Sequence, residues 1–123
     1  MKKKTISQLK KKAWEVFSKH IRQLDIDFQG YGVCVTCGVR KLWQELQAGH
    51  FIQGRHNMVL YDSRNVHSQC MRCNVFLHGN LIKYYEFMLQ TYGQEVIDDL
   101  KKLDRQNKKF TREELEEIIK EYA

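Results

Sequence analysis

The 123 residues fall within the usual size of one domain, enough for a modest core but few enough that an internal staple would help. Lys and Arg total 21 against 15 Asp and Glu, a net charge of +6 that suits a polyanion such as nucleic acid, although solvated lysines alone can give the same balance. No stretch approaches the roughly 18 to 20 apolar residues of a membrane span, and the lysine-rich start lacks an apolar signal core, so a cytoplasmic chain with no membrane partner is expected.

From Thr5 to about Leu24 the residues Ile6, Leu9, Ala13, Trp14, Phe17, Ile21 and Leu24 recur at intervals of three and four, the stripe of an amphipathic helix with a lysine-rich opposite face. Gly30 and Gly32 stop it. Between Gly32 and Cys73 no long helical stripe exists; an extended segment, Leu46 to Ile52, runs into a loop at Gly54. Past Cys73 a second helix is expected with Phe76, Leu77, Leu81, Tyr84, Tyr85, Met88 and Leu89 on one face and a stop at Gly93. Gln94 to Leu103 reads as a third helix. Thr111 and Glu114 form a capping box, in which hydroxyl and carboxylate satisfy orphan N–H groups, ahead of a terminal helix to Tyr122. With no proline and no repeat, one domain is expected: an N-terminal helix over 1–30, a core over 31–92 and C-terminal helices over 93–123.

In a reducing cytosol, cysteines in C-x-x-C pairs are metal ligands or redox groups more often than disulfides. Cys34-Val-Thr-Cys37 and Cys70-Met-Arg-Cys73 are two such pairs, and a redox pair needs no second one. The two-residue spacing lets both thiolates of each pair reach one tetrahedral ion, so the expectation is a structural zinc held by Cys34, Cys37, Cys70 and Cys73. The 32 residues between the pairs exceed the roughly 15 to 20 of a simple zinc ribbon, so something is built inside the interval. His50 and Asn65 stand there, and beyond the last cysteine come Asn74 and His78, whose i, i+4 spacing on a helix would stack two metal ligands on one face.

The order Cys-x-x-Cys, His50, Asn65 five residues before Cys70-x-x-Cys73, then Asn74, resembles the HNH or ββα-metal endonucleases, especially the zinc-stapled branch that includes endonuclease VII. The words Ala48-Gly49-His50-Phe51, Asn65-Val66-His67-Ser68-Gln69-Cys70, Cys73-Asn74 and Gly79-Asn80, with Tyr92-Gly93-Gln94-Glu95 and both flanking helices, are similar to the NinG (Rap) family of lambdoid phages over nearly the whole chain. The resemblance implies an α+β fold with a zinc-stapled ββα-metal core between terminal helices, and an endonuclease of branched recombination intermediates such as Holliday junctions or D-loops, working in the bacterial host. Carried over by position, His50 is the general base that activates water, Asn65 orients the catalytic loop, and Asn74 and His78 hold a catalytic Mg²⁺ or Mn²⁺. Many HNH enzymes place Asp or His just before the base. Here that residue is Gly49, which leaves Gln47, Glu45, Asp62, His56 or His50 itself as replacement ligands.

Arg55, Arg64, Arg72 and Lys83 cluster in sequence around this pocket as candidate DNA contacts. Two cuts across a junction suggest a homodimer, with the apolar faces of the first and last helices as its hint. Two other activities compete: an HNH nickase or nuclease on ordinary duplex DNA, and a zinc-ribbon module that binds DNA without cutting it.

Overall fold

Every fourth residue of the first helix is buried. In the computed structural model, which describes residues 3–54 and 56–123, this helix is α1, Ile6–Gln23, with Leu9, Ala13, Phe17 and Ile21 turned inward. Its start is a capping box: Gln8 N–H donates to the Thr5 hydroxyl and Thr5 N–H to the Gln8 side chain. It stops at Leu24, before the left-handed Asp25.

Strands β1 (Tyr31–Val33) and β2 (Arg40–Leu42) pair antiparallel around the first cysteine pair. The turn between them closes with Cys34 N–H on the Val39 carbonyl and Gly38 N–H on the Cys34 carbonyl. Gly38 has φ +81°, open to glycine without the steric cost a Cβ brings. Strand β3 (Gln47–His50) pairs antiparallel with β4 (Val66–Gln69), in the register Gln47↔Gln69, Ala48↔Ser68, Gly49↔His67 and His50↔Val66. The loop between them carries one short helix, α2 (Asn57–Leu60). Val35 N–H donates to the Ser68 carbonyl and so ties the first cysteine turn to β4.

After β4 the chain makes a π-helical turn, Arg72–Phe76, and not the long helix expected from Cys73 onward. The Leu77 N–H reaches back to the Arg72 carbonyl and the Gly79 N–H to the Cys73 carbonyl, wider loops than an α-helix makes. His78, Gly79 and Asn80 then all take positive φ, at 51°, 94° and 48°, and α3 begins afresh at Leu81–Thr91. The apolar stripe misled because part of it is not core: Phe76 is 69% exposed, while Tyr84 and Met88, past the break, are fully buried. Helices α4 (Gln94–Asp104) and α5 (Arg112–Tyr122) follow, α5 opening on the expected Thr111–Glu114 box.

The core is divided. Leu9 and Ala13 of α1 meet Leu115 of α5, so the apolar faces of the first and last helices cover one another within the chain. Phe17 and Ile21 press on Val66 of β4. Phe51, Val59, Tyr84, Met88, Ile97 and Leu100 join the loop after β3 to α3 and α4. Cys34, Leu46, Cys70 and Cys73 form a separate small cluster. The fold is thus mixed helix with two small antiparallel sheets. No described helix is long and apolar enough to cross a membrane.

Candidate active site between the four-cysteine cluster and the first helix

The turn after β1 and the turn after β4 bring their cysteines together. The sulfurs of Cys34, Cys37, Cys70 and Cys73 all lie within 4.8 Å of one another, and all four are free thiols. Cys37 and Cys70 Sγ are 3.7 Å apart, against about 3.8 Å for the edge of a tetrahedron with 2.3 Å zinc–sulfur bonds. Four thiols so placed could bind a metal such as zinc. Donors also converge on the sulfurs: Cys73 N–H on Cys70 Sγ and the Asn80 amide on Cys73 Sγ, both at 3.5 Å, with the Thr36 hydroxyl 3.2 Å from Cys34 Sγ. Burial opposes ionisation of Cys34, yet the Thr36 hydroxyl and the backbone N–H groups of Cys70, Cys37 and Thr36 outweigh it and bring this thiol down to about 6. Desolvation and neighbouring sulfurs push Cys37 up to about 12, since stacking several thiolates without a cation is unfavourable.

Beside this cluster a cavity of about 600 Å³ opens between α1 and β3. Trp14, Ser18 and Arg22 of α1 form one wall, Gln47, Ala48 and His50 of β3 another, and Asn74 and His78 close the end. Among the described lining residues there is no carboxylate. His50 stacks on Trp14, with ring centroids 5.0 Å apart and planes 18° from parallel. Its Nε2 lies 3.2 Å from the Leu60 carbonyl. A carbonyl can only accept, so Nε2 carries a proton, and in the neutral ring Nδ1 is the basic nitrogen.

Asn65 is fully buried and straps the loop that supplies the Leu60 carbonyl. Its Oδ1 accepts from Ile52 N–H at 2.8 Å, while its Nδ2 donates to the carbonyls of Ile52 and Val59. The backbone carbonyl of Asn65 also accepts from Phe51 N–H at 2.8 Å, so both sides of this residue hold the chain just past His50. A second network reaches the strand from behind. Tyr84 O–H donates to the Gly49 carbonyl at 2.7 Å, which obliges His67 Nδ1–H to donate to Tyr84; in the neutral ring that burial favours, Nε2 then accepts from Tyr92 O–H.

His67 is therefore held neutral, and burial lowers its pKa from 6.5 to about 4. Between those values the unfolded chain binds more protons than the native one. Stability from this group is then complete above pH 6.5 and is lost as pH falls toward 4, in total about 3 kcal/mol. Urea midpoints measured from pH 7 to 4 should show a shallower pH slope for His67→Gln than for the natural chain, even though the variant is less stable throughout.

Gly49, the position where a ligand was sought, has no room for a side chain. A Cβ there would lie 1.9 Å from Gln69 Oε1 and 2.9 Å from Asn74 Oδ1. The Gln69 amide cannot retreat, because its Nε2 donates to the Thr36 hydroxyl and to the Gly79 carbonyl. Gly49→Ala is expected to lower stability by about 1–3 kcal/mol in urea unfolding, the usual cost of overpacking, and Gln69→Ser in the same chain should recover part of it. Of the replacement ligands expected from sequence, Gln47 reaches the cavity, where its Oε1 accepts from Asn74 Nδ2 at 2.8 Å. Asp62 is held by Arg64, His56 pairs with Asp104, and Glu45 is exposed outside the cavity lining.

Along residues 1–123 the chain matches the family model described as Bacteriophage Lambda NinG protein. It belongs to the NinG family. The chain is 30% identical over 113 residues to the ninG protein of Salmonella phage P22, covering 91% of this chain and 53% of that protein. Against the ninG protein of Escherichia phage lambda the identity is also 30%, over 91% of this chain and 52% of the relative. For Enterobacteria phage H19B it is 31% over 73% and 43%. The chain thus spans about half the length of the curated relatives it matches. No solved structure matches.

In this NinG-family chain the expected site residues fall into distinct settings. His50, Asn74 and His78 share the cavity, but His78 stands beyond the π-helical turn and not one helical turn above Asn74. Asn65 lies behind the wall as a strap. Of the expected DNA contacts, the Arg64 guanidinium is bound by both Asp62 and Asp99, and Lys83 sits 3.7 Å from Glu86. Arg72 is exposed, and Arg55 lies outside the described residues.

Sequence reading missed Arg22. It lines the cavity, lies 5.3 Å over the Trp43 ring, and donates through Nε to the Ser18 carbonyl. Burial lowers its pKa, and no carboxylate among the described residues forms an ion pair with it. The spacing Trp14, Ser18, Arg22 was the available signal, one residue per turn along one side of α1.

Proposed function

We propose that this protein is a metal-dependent endonuclease that hydrolyses phosphodiester bonds in branched DNA. The observation that carries the reading is His50, whose Nε2–H is committed to the Leu60 carbonyl so that Nδ1 is the basic nitrogen of the neutral ring, in a cavity lined by Arg22 and several amides with no carboxylate among its described residues. An anionic phosphate suits such a lining, and a neutral imidazole is suited to take a proton from water at physiological pH. Asn65 serves as the positioning residue, because the carbonyl that fixes the imidazole belongs to the loop it straps. Asn74 and its amide neighbours are oxygen donors of the kind that hold Mg²⁺ or Mn²⁺, which would stabilise charge on the scissile phosphate and on the leaving 3′ oxygen. Arg22 would grip a phosphate beside it.

The four cysteines, with zinc, would fix β4 and the π-helical turn against β1, and so keep Asn74 facing β3. Binding would rest on backbone charge and DNA shape, and a homodimer would allow paired cuts. Incubating purified protein with Holliday-junction and linear oligonucleotides in Mg²⁺ or Mn²⁺ tests the reading. Cleavage of the junction in preference to the linear duplex is expected; equal cutting of both would make it a general HNH nuclease. The absence of a described carboxylate from the cavity favours one second reading, a zinc-stapled module that binds DNA without cutting it. Junction binding with no nick under any divalent ion would establish that reading instead.

Arg22→Ala separates contact with phosphate from a packing role. Affinity for DNA is expected to fall uniformly across sequences, and the slope of log affinity against log salt should become shallower by about 1, as for the loss of a single phosphate contact.

A further inference from the structure

We propose that Gln69 supplies, through its side-chain oxygen, the divalent-cation ligand that Gly49 lacks, and that it does so together with Asn74. The inference deepens the nuclease reading above and rests on it for the identity of the reaction, though not for the geometry. Gln69 is fully buried, and its Oε1 finds no hydrogen-bond donor among the described residues. Amide assignment leaves no freedom here: the Gly79 carbonyl can only accept, so Nε2 must face it and the oxygen must face Gly49.

Asn74 lies on the same side of Gly49. Its Nδ2 donates to Gln47 Oε1 at 2.8 Å, and its Oδ1 stands toward Gly49. The two oxygens lie 1.9 and 2.9 Å from the point where a Gly49 Cβ would stand. Two amide oxygens beside one glycine, the Gln69 oxygen with no donor among the described residues, repel unless a positive charge joins them, and hard cations such as Mg²⁺ and Mn²⁺ take oxygen ligands. The missing side chain at position 49 is therefore a consequence of the oxygen that replaces it: β4 delivers across the strand pair what β3 does not carry.

Both ligands are neutral, so the cation would bind weakly to the protein alone and more tightly once a DNA phosphate adds its charge. By linkage, the same cation would tighten DNA binding.

Titration of the full chain with Mn²⁺, followed by the electron paramagnetic resonance signal of the free ion, tests the assignment. Zinc content and melting temperature serve as checks on the fold. Gln69→Leu, which keeps the bulk and removes the oxygen, is expected to weaken Mn²⁺ binding at least tenfold while zinc is retained. Gln69→Glu, which keeps the oxygen and adds charge, should bind Mn²⁺ more tightly than the natural chain. Should Gln69→Leu fail to fold, Gln69→Glu and Asn74→Leu decide, with a gain in the first and a loss in the second expected. Unchanged Mn²⁺ affinity in these variants, or no Mn²⁺ binding by the natural chain, overturns the proposal. Junction cleavage combined with a Gln69-independent Mn²⁺ site would refute the ligand and keep the nuclease. A Gln69-dependent site in a protein that never cuts DNA would do the reverse.

Discussion

His50→Ala is expected to lower the rate of junction cleavage by a factor of about 10² to 10⁴, the usual contribution of a positioned general base. Zinc content and DNA affinity should stay within about twofold of the natural chain. The separation is possible because His50 packs on elements that are fastened without it. Its ring stacks on Trp14 and donates to the Leu60 carbonyl, while the loop that carries Leu60 is fastened independently by Asn65. Losing the stack should cost about 0.5–1.5 kcal/mol of stability, too little to unfold the domain. His50→Gln adds a sharper contrast: its amide can still donate to Leu60 but offers no basic nitrogen, so it should be as inactive as alanine. Single-turnover cleavage of a labelled junction measures both variants. Full activity in either would place the chemistry elsewhere.

The terminal helices were legible because their signals are local. The stripe Leu9, Ala13, Phe17, Ile21 needs only its own spacing to define a buried face, and Thr111 with Glu114 needs only four residues to define a helix start. The reading failed between Phe76 and Leu81, where an apolar stripe continues in sequence while the backbone breaks. There the wide bond from Leu77 N–H to the Arg72 carbonyl and the left-handed residues His78, Gly79 and Asn80 answer to the sulfur cluster, not to helical period. Asn80 illustrates the point: its amide donates to Cys73 Sγ, a tertiary contact that no periodicity reports.

The candidate site was legible in its outline and not in its joints. His50, Asn65 and Asn74 stand out by residue type and by distance from the cysteines, and the structure sets His50 and Asn74 on one cavity with Asn65 behind it. What surrounds position 49 was hidden because it depends on strand register. The pairing of Gln47 with Gln69 and of Gly49 with His67 puts these residues on one face, so the side chain that fills the Gly49 notch comes from the neighbouring strand, 20 residues away in sequence. A search among residues close to Gly49 reaches Gln47 and Glu45 but not Gln69. Trp14 and Arg22 were hidden for a different reason. A stripe of mixed character on an amphipathic helix is ordinarily core on one side and solvent on the other, and only the tertiary structure shows that the border between the two forms the wall of a cavity.

Cys70→Ser should have the largest effect on stability. A structural zinc contributes on the order of 10 kcal/mol to folding a small site, which is comparable with the whole stability of a domain of this size. Cys70 is buried at the end of β4, directly after Gln69, and its sulfur accepts from Cys73 N–H. Without zinc the thiols must protonate or repel, and the turn from Cys70 to Cys73 loses the tie that holds it against Cys34 and Cys37. Gln69 and Asn74 flank that turn, so the notch over Gly49 should open with it. The helical packing of Leu9 and Ala13 on Leu115, and of Tyr84 and Met88 on Ile97 and Leu100, does not include the cysteines and should survive longer. The expected result is a chain with no bound zinc, much of its far-ultraviolet helical signal, and fast amide exchange confined to about residues 31–80. Removing zinc from the natural chain with a chelator should give the same exchange pattern, and restoring it should reverse the change. Retention of zinc and of slow exchange in Cys70→Ser would mean that the four sulfurs do not act as one site.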